Sequence, residues 1–373
     1  MNNYKKRAIE LYKNGETNKT RITKIISSEF NIEYSDALRR NVSSILNKQL
    51  SFAPALVQEC DDKGLNVEDV SVFWHKGKQF SILSNAKKQF NYEDFREDFI
   101  ESISKWSPSY PSIVREAVND PHCMVFDPAD IHIGKLCSSF ETGEDYNSQI
   151  AVKRVMDGMH GIIDKAKGFK IDKIIFIAGN DILHTDNPKR QTTSGTPQDT
   201  DGMWYDNFTT AKRLLVDIIE TLVQIADVDV VYNPSNHDYM SGFMLLDSVK
   251  SWFRLNENVS FNADMSHRKY NVYGKCLIGT THMDSAKIAN LPMLMAHEAS
   301  EHWHNCIHRY IFGHHVHHKS SKDFMSVNVE TLRSPSGTDG WHHRNGFCFS
   351  PKAVEAFILH PNHGQVARLS HIF

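Results

Sequence analysis

Residues 174–184 read IIFIAGNDILH, a short apolar run that ends in Asn180 and Asp181 and is followed by His184. Four other short apolar runs, at residues 123–126, 228–232, 277–280 and 310–312, also end in polar stretches. Longer stretches with apolar residues at helical spacing lie between several of them. Because short apolar runs bounded by turn-forming residues are typical of buried strands, the pattern predicts an α/β layered domain around buried sheets.

Each of the five runs is followed by residues that can bind metal ions or transfer protons. In chain order these are Asp130 and His132, then Asp181 and His184, then Asn236, His237 and Asp238, then His282, and last the stretch at residues 314–318, which is histidine except for Val316. Ligands bind at the carboxyl ends of the strands in α/β sheets. The sequence therefore predicts that the five loops meet at one edge of the fold.

The mixture of carboxylate, amide and imidazole groups suits two divalent metal ions. Asp130 and His132 alternate by two, so in an extended chain both side chains point the same way and could bind one ion together with His317. Asp181 has two carboxylate oxygens and could bridge both ions. The predicted ligands are Asp130, His132, Asp181, Asn236, His282, His315 and His317. This set favours manganese, with iron or zinc as alternatives, over magnesium or calcium.

The ordered set resembles the calcineurin-like metallophosphoesterase superfamily, whose pattern is D-x-H, G-D, G-N-H-D/E, H and G-H-x-H. The resemblance spans residues 122–320 and implies a β-sandwich flanked by helices that hydrolyses phosphate esters with a metal-activated water. It also implies that Asn236 is a metal ligand and that His237 protonates the leaving oxygen. Asp238 is expected to orient His237 and to raise its pKa.

Two stretches, ADIHIGK at residues 129–135 and DILH at residues 181–184, are most similar to the SbcD-like exonuclease subunit of double-strand-break repair complexes. That branch implies a DNA substrate and a coiled-coil ATPase partner. It also implies a catalytic role for His184 on the substrate side, although a histidine at the rim of the site is an equal alternative.

Three positions depart from the superfamily pattern. Asn180 precedes Asp181 in the second motif, and Ser235 replaces a glycine before Asn236. The last motif reads GHHVHH, so His314 and His318 are rivals to the pair formed by His315 and His317, which has the expected spacing.

The chain before the motifs divides into two predicted regions, residues 1–50 and 51–119, followed by the phosphoesterase domain at 120–373. Residues 1–50 show three short helical stripes and resemble a helix-turn-helix domain, in which Arg39 and Arg40 on the third helix would bind DNA. A three-helix cap or dimerisation unit is the alternative. Residues 51–119 predict a β-hairpin, a helix and a linker.

Charge and cysteine content limit the class of protein. The net charge of the 373 residues is −3, so any contact with DNA requires a local basic patch. Six cysteines form no C-x-x-C pair, which favours reduced thiols and a cytoplasmic protein. The sequence lacks a run of about 18 apolar residues, so no membrane span is predicted.

These features predict a dinuclear-metal-dependent phosphodiesterase, with a DNA exonuclease as the leading interpretation. The first alternative is a phosphoesterase for a nucleotide or cyclic nucleotide, or a protein phosphatase. The second is a non-catalytic DNA-binding protein with a degenerate site. The sequence leaves open whether the chain forms a homo-oligomer or binds an ATPase.

Overall fold

The computed structural model describes residues 3–50, 70–74, 80–84, 108 and 110–373. Contacts divide the chain into two compact units, Met1–Ser102 and Ile103–Phe373. The division into three regions with boundaries after residues 50 and 119 stays a prediction, and the predicted helix at residues 92–106 lies outside the described residues.

Among its described residues, the first unit contains three helices, α1 (Asn3–Lys13), α2 (Lys19–Glu29) and α3 (Asp36–Leu50), as the helical stripes predicted. Their apolar faces meet in a small core formed by Ala8, Ile22, Ile26, Leu38, Val42 and Leu46. Asn18 caps α2 because its side chain accepts hydrogen bonds from the backbone N–H groups of Thr20 and Arg21. The predicted hairpin consists of β1 (Val70–Trp74) and β2 (Phe80–Ser84), which pair antiparallel.

The second unit contains eleven strands and seven α-helices among its described residues. In chain order they are β3 (Pro121–Asp127), α4 (Ser139–Thr142), α5 (Ser148–Ala166), β4 (Lys170–Ile177), α6 (Trp204–Leu222), β5 (Asp227–Val231), α7 (Tyr239–Trp252), β6 (Val259–Asn262), β7 (Arg268–Tyr273), β8 (Cys276–Thr281), α8 (Leu291–Glu298), α9 (Ser300–Trp303), β9 (His308–Gly313), β10 (Ser320–Phe324), β11 (Val327–Thr331), α10 (Gly340–Arg344), β12 (Ala353–His360) and β13 (Gly364–Ile372).

These strands form two mixed sheets. The six-stranded sheet has the order β13-β12-β3-β4-β5-β6, and the five-stranded sheet has the order β10-β11-β9-β8-β7. Strands β3, β4, β5 and β6 are parallel to one another. Strand β12 pairs antiparallel with β3 and with the edge strand β13. In the other sheet, β8 and β9 are parallel neighbours.

The sheets pack face to face because alternate strand residues point to opposite sides. Val125, Ile177, Phe312 and Phe357 belong to the core between the sheets. A larger core on the outer face of the six-stranded sheet includes residues of α5, α6 and α7, and α8 contributes Leu291 and Met295 to a core that includes Leu277 and Ile311 of the other sheet. The predicted fold class, a layered α/β sandwich flanked by helices with a small helical N-terminal unit, is confirmed.

Within the described ranges, no helix has both the length and the apolar character that crossing a bilayer requires.

Candidate functional site

The five apolar runs that define the predicted edge are strands β3, β4, β5, β8 and β9. Three of these strands are parallel neighbours in one sheet, and two are parallel neighbours in the other. Their carboxyl ends therefore lie at matching edges of the two packed sheets. The loops that follow bring the predicted ligands together in one cluster.

Backbone hydrogen bonds join the loops after β3 and β4. The N–H of Asp130 donates to the carbonyl of Asn180 at 3.1 Å, and the N–H of His132 donates to the carbonyl of Asp181 at 2.9 Å. The N–H of His184 in turn donates to the carbonyl of Ile133 at 3.0 Å. This pairing places the two motifs side by side and fixes where His184 leaves the loop.

Gly179 allows the loop after β4 to approach the loop after β5. A Cβ atom at this position would lie 2.4 Å from the backbone nitrogen of Asn233, a distance that only a glycine avoids. The close approach brings Asp181 toward Asn236 and His237. The N–H of His237 donates to Oδ1 of Asp181 at 2.9 Å.

Six predicted ligands form two groups whose potential ligand atoms lie within 4.8 Å of one another: Asp130 with His132 and His317, and Asp181 with His282 and His315. In the first group, Nε2 of His132 is 3.3 Å from Nε2 of His317, which is 3.6 Å from Oδ1 of Asp130. In the second, Nε2 of His282 is 3.2 Å from Oδ2 of Asp181. The seventh predicted ligand, Asn236, places Oδ1 2.8 Å from the same His282 nitrogen.

Asp181 lies between the two groups. Its Oδ2 atom is 3.2 Å from Nε2 of His282 in its own group and 3.9 Å from Nε2 of His132 in the other. The bridging role predicted for this carboxylate requires such a position. Asp130 also faces both groups, since its Oδ1 atom is 3.9 Å from Nδ1 of His282.

The geometric reason that the sequence suggested for the Asp-x-His spacing was wrong. Asp130, His132, His315 and His317 all have left-handed backbone conformations, with φ between 52° and 72°, so neither pair lies in extended chain. Asp181 has a φ of 53°. Non-glycine residues in this region cost about 1–3 kcal/mol each and persist where the surroundings hold them, which is common at binding sites.

The structure distinguishes the four histidines of residues 314–318 as candidate metal ligands. His314 is completely buried, its Nε2 lies 2.9 Å from both oxygens of Asp127, and its Nδ1 lies 3.0 Å from the carbonyl of Thr281. Both of its ring nitrogens are therefore occupied beneath the site. His318 is exposed, and its Nδ1 lies 2.9 Å from the carbonyl of Val316. His315 and His317 are the two that join the ligand groups.

His237 and His184 form a second layer of imidazoles beside the first group. Their rings stack at 5.1 Å, and Nδ1 of His184 is 3.3 Å from Nδ1 of His132. His184 is 3% exposed, so it is part of the buried cluster and not a histidine at the rim. Together with His132 these rings make a third group of potential ligands.

The orienting role predicted for Asp238 is corrected by the structure. Nδ1 of His237 lies 2.9 Å from the carbonyl of His184, which therefore fixes the ring. Asp238 instead accepts hydrogen bonds from the hydroxyl of Ser235 at 2.5 Å and from the N–H of Leu183 at 2.8 Å. The Ser235 hydroxyl also accepts a hydrogen bond from the N–H of Asp181. Asp238 thus supports the loop that carries Asp181.

Burial and the neighbouring charges shift the pKa values of the carboxyl and imidazole groups in the cluster. Burial alone would raise the pKa of Asp181, but the facing His282 and His237 hold that pKa well below its usual range. Burial, reinforced by the neighbouring His237 and Lys135, lowers the pKa of His132. Although burial lowers the pKa of His282, the facing Asp181 raises it to about 9.

The donor set fits divalent metal ions. Metal ligands must be ionised carboxylates and neutral imidazoles, and burial lowers the pKa values of His315 and His317 toward the neutral form. His282, whose pKa is raised by Asp181, would release its proton when a cation binds. Nδ1 of His282 is buried and has no hydrogen-bond partner among the described residues. The two Nε2 atoms of His132 and His317 face each other at 3.3 Å, an arrangement that a shared proton or a cation stabilises.

Sequence reasoning missed several residues that support the site. Lys135 is buried, and its ammonium lies 2.9 Å from Oδ2 of Asp339. His342 stacks on the predicted ligand His317 with ring centroids 5.2 Å apart. The hydroxyl of Ser334 donates to the carbonyl of Asp130 at 2.7 Å. Lys135 could have been found from its place three residues after His132, and the sequence Trp341-His342-His343 suggests a possible border of the site, but nothing local to Ser334 or Asp339 indicates a site.

Arg39 and Arg40 lie on α3 in the first unit, and both are exposed. Nε of Arg40 donates to the carbonyl of Asp36 at 3.2 Å, and Nε of Arg39 is 3.6 Å from the Asp36 carboxylate. Exposed ion pairs of this kind contribute little to stability, so both guanidinium groups remain accessible.

No protein-family model matches the sequence, and no curated protein matches it. Solved structures that resemble the chain include an archaeal phosphodiesterase with 8% identity and a TM-score of 0.32, covering 68% of this chain and 99% of that one. A predicted phosphoesterase from Streptococcus pneumoniae has 14% identity and a TM-score of 0.25, over 69% of this chain and 99% of that one. Vps29 from Entamoeba histolytica, in complex with zinc, has 9% identity and a TM-score of 0.28, over 67% and 98%. Similarity at this level does not assign a function.

Proposed function

We propose that the protein is a metal-dependent phosphodiesterase whose substrate is DNA. The observation that carries the proposal is the convergence of two carboxylates, Asp130 and Asp181, with four imidazoles and the Asn236 amide within a few ångströms. Ionised carboxylates and neutral imidazoles in this density are the ligands of borderline transition metals, and Mn²⁺ is the first to test, followed by iron and zinc.

The side chains divide the work of hydrolysis between them. When bound, two divalent cations would supply Lewis-acid activation of the phosphoryl group and of a water nucleophile. Asp181 would place negative charge between them. His237 donates its Nδ1 proton to the His184 carbonyl, so its Nε2 is the atom that would carry a proton to the leaving oxygen.

The charge distribution supports DNA as the substrate. Residues 1–50 contain ten Lys or Arg against five Asp or Glu, a net charge of +5, which leaves −8 for residues 51–373. The N-terminal helices therefore carry the excess of positive charge that a chain with net charge −3 would use to bind phosphates. Arg39 and Arg40 are the predicted contacts. An ATPase partner, homo-oligomerisation and a cytoplasmic location stay predictions.

A substrate panel tests the activity and separates the alternatives. The Mn²⁺-loaded protein is expected to hydrolyse bis-p-nitrophenyl phosphate, a diester, faster than p-nitrophenyl phosphate, a monoester, and to degrade linear DNA. Turnover of the monoester alone would favour a phosphomonoesterase or protein phosphatase. DNA binding in a gel without hydrolysis of any ester would favour the non-catalytic alternative.

His237→Ala tests the proton donor. General acid catalysis typically contributes about 10²- to 10⁴-fold, so turnover of linear DNA is expected to fall by that factor. Metal content measured on the same sample is expected to stay at the wild-type value, because Asp181 and the other ligands remain. Unchanged turnover would reject this role for His237.

Arg39→Ala with Arg40→Ala tests the DNA contact. Each lost phosphate contact reduces the slope of log affinity against log salt by about 0.9 for duplex DNA, so the double variant is expected to bind more weakly with a shallower slope. Lys250→Ala with Arg254→Ala, two exposed cations in the second unit, is the matched control. Equal salt slopes in both double variants would place the DNA contact elsewhere.

A further inference from the structure

Four aromatic rings form a continuous row that starts at the candidate metal centre. His342 stacks on His317 with ring centroids 5.2 Å apart and an interplanar angle of 13°. Trp341 meets the edge of His342 at 5.0 Å, and Phe347 packs against Trp341 at 5.8 Å. The row therefore leads from a predicted metal ligand to the surface through direct ring contacts.

The loop that carries the metal ligands fixes this row in place. Oδ1 of Asp339 accepts hydrogen bonds from the backbone N–H and from Nδ1 of His342, both at 2.8 Å. The other oxygen of Asp339 lies 2.9 Å from the ammonium of the buried Lys135, three residues after His132. Because one carboxylate joins α10 to the loop after β3, Trp341 keeps a defined position relative to the candidate metal centre.

The outer end of the row is open to solvent. Trp341 is 63% exposed and Phe347 is 62% exposed, although both are large aromatic side chains with much to gain from burial. The same helix presents His343 and Arg344, both exposed, so the aromatic surface has a basic border. Aromatic rings beside basic groups match a ligand that combines a flat ring with negative charge.

We propose that Trp341 and Phe347 form a stacking platform for a nucleobase of the substrate. The proposal rests on the phosphodiesterase function, because a phosphate held at the metal centre would place its esterified nucleoside next to this row. The basic border at Arg344 favours a nucleotide over an uncharged apolar ligand. A mononucleotide ester and a DNA strand share this chemistry, and the test distinguishes them.

Two diesters with the same leaving group isolate the contribution of the base. Thymidine 5′-(p-nitrophenyl phosphate) carries a base, whereas methyl p-nitrophenyl phosphate does not. Stacking of one base is worth about 1–3 kcal/mol, which is about 5- to 150-fold. Trp341→Ala is therefore expected to lower kcat/KM by that factor for the thymidine ester and by less than about twofold for the methyl ester.

Two further variants serve as controls. Trp341→Phe keeps a ring and is expected to retain most of the activity on the thymidine ester. Tyr205→Ala removes an exposed aromatic side chain of α6, which is 56% exposed and makes no ring contact with the row among the described residues, and both esters are expected to react as with wild type. An equal loss on both esters in Trp341→Ala, or no loss on either ester in that variant, would overturn the proposal.

Fluorescence gives a readout that does not depend on catalysis. Thymidine 5′-monophosphate is expected to quench tryptophan emission in the wild type and not in Trp341→Phe. If wild type hydrolyses neither ester, the phosphodiesterase function fails, and the presence or absence of this quenching still decides the platform. The affinities of single-stranded oligonucleotides with and without an abasic position then separate a DNA strand from a mononucleotide as the ligand. If the platform binds a base of a strand, the oligonucleotide that lacks this base is expected to bind more weakly.

Discussion

The second unit buries two clusters of charged side chains, and they differ in how their charges are balanced. The first, here called the inter-sheet ion network, consists of Glu330, Arg333, Glu355 and Arg368. It has two carboxylates against two guanidinium groups. The second, the candidate metal centre, has Asp130 and Asp181 among imidazoles, and among the described residues neither carboxylate forms an ion pair with a lysine or arginine.

In the ion network every carboxylate oxygen has a donor. Glu355 is completely buried, and its two oxygens accept hydrogen bonds from Arg333, Arg368 and Ser370 at 2.6–3.2 Å. Glu330 pairs with Arg368 through one oxygen and with the amide of Gln365 through the other. This network is complete within the chain, and it links β12 and β13 of one sheet to β11 of the other.

In the candidate metal centre, backbone N–H groups and imidazoles take the place of guanidinium groups: the N–H of His237 donates to Asp181, and the N–H of His315 donates to Asp130. Nδ1 of His282 has no partner among the described residues, and Nε2 atoms of two histidines face each other. Burying two carboxylates without a lysine or arginine partner is costly, so added cations would stabilise such a cluster. The difference indicates that the ion network holds the sheets together, whereas the second cluster is built to receive cations.

Asp181→Asn is the strongest test of the difference between the two clusters. It keeps the side-chain volume and removes the negative charge between the two ligand groups. We expect phosphodiesterase activity to fall by at least about 10⁴-fold, or about 5.5 kcal/mol of transition-state stabilisation. Turnover of bis-p-nitrophenyl phosphate with added Mn²⁺ is the measurement. A rate within tenfold of wild type would contradict the bridging role.

Glu355→Gln makes the matching change in the ion network. Breaking a buried ion pair while its partners stay costs about 3–5 kcal/mol, so the free energy of unfolding is expected to fall by that amount. Urea unfolding measures the loss. Turnover per folded molecule is expected to stay at the wild-type level, since Glu355 contacts no predicted ligand, and a large loss of turnover would show that the clusters are not independent.

The smallest expected effect is a change with pH in how much Glu355 contributes to the free energy of unfolding. Burial alone would raise the pKa of Glu355, but Arg368 holds it below its usual value. A carboxyl group whose pKa is lowered by folding stabilises the protein above its unfolded pKa, about 4.5, and loses that contribution as the pH falls further. In metal-free protein, the stability difference between wild type and Glu355→Gln is therefore expected to stay constant above about pH 5 and to shrink as the pH falls below about 4.5. A constant difference would argue against this charge pairing.

The sequence predicted the parts of the fold and the site that are local in the chain. Strands β3, β4, β5, β8 and β9 are buried apolar runs, and each predicted ligand follows one of them within a few residues. Edge strand β10 was not predicted because its residues, Ser320–Phe324, are mostly exposed and polar. Its pattern therefore carries no signal of burial.

Contacts between distant segments could not be predicted from spacing. Asp238 follows His237 directly, yet the loop turns its carboxylate toward Ser235 and Leu183. Asp339 and His342 lie about 200 residues after the first motif; Asp339 reaches the site through an ion pair with Lys135, and His342 through stacking on His317. The left-handed conformations at Asp130 and His132 likewise depend on hydrogen bonds to the loop after β4.

Metal binding to the metal-free protein tests the central claim most directly. Equilibrium dialysis against Mn²⁺, followed by elemental analysis, is expected to show two ions per wild-type chain and in Glu355→Gln, but fewer than two in Asp181→Asn. No bound metal in the wild type, or the same stoichiometry in Asp181→Asn, would contradict the account.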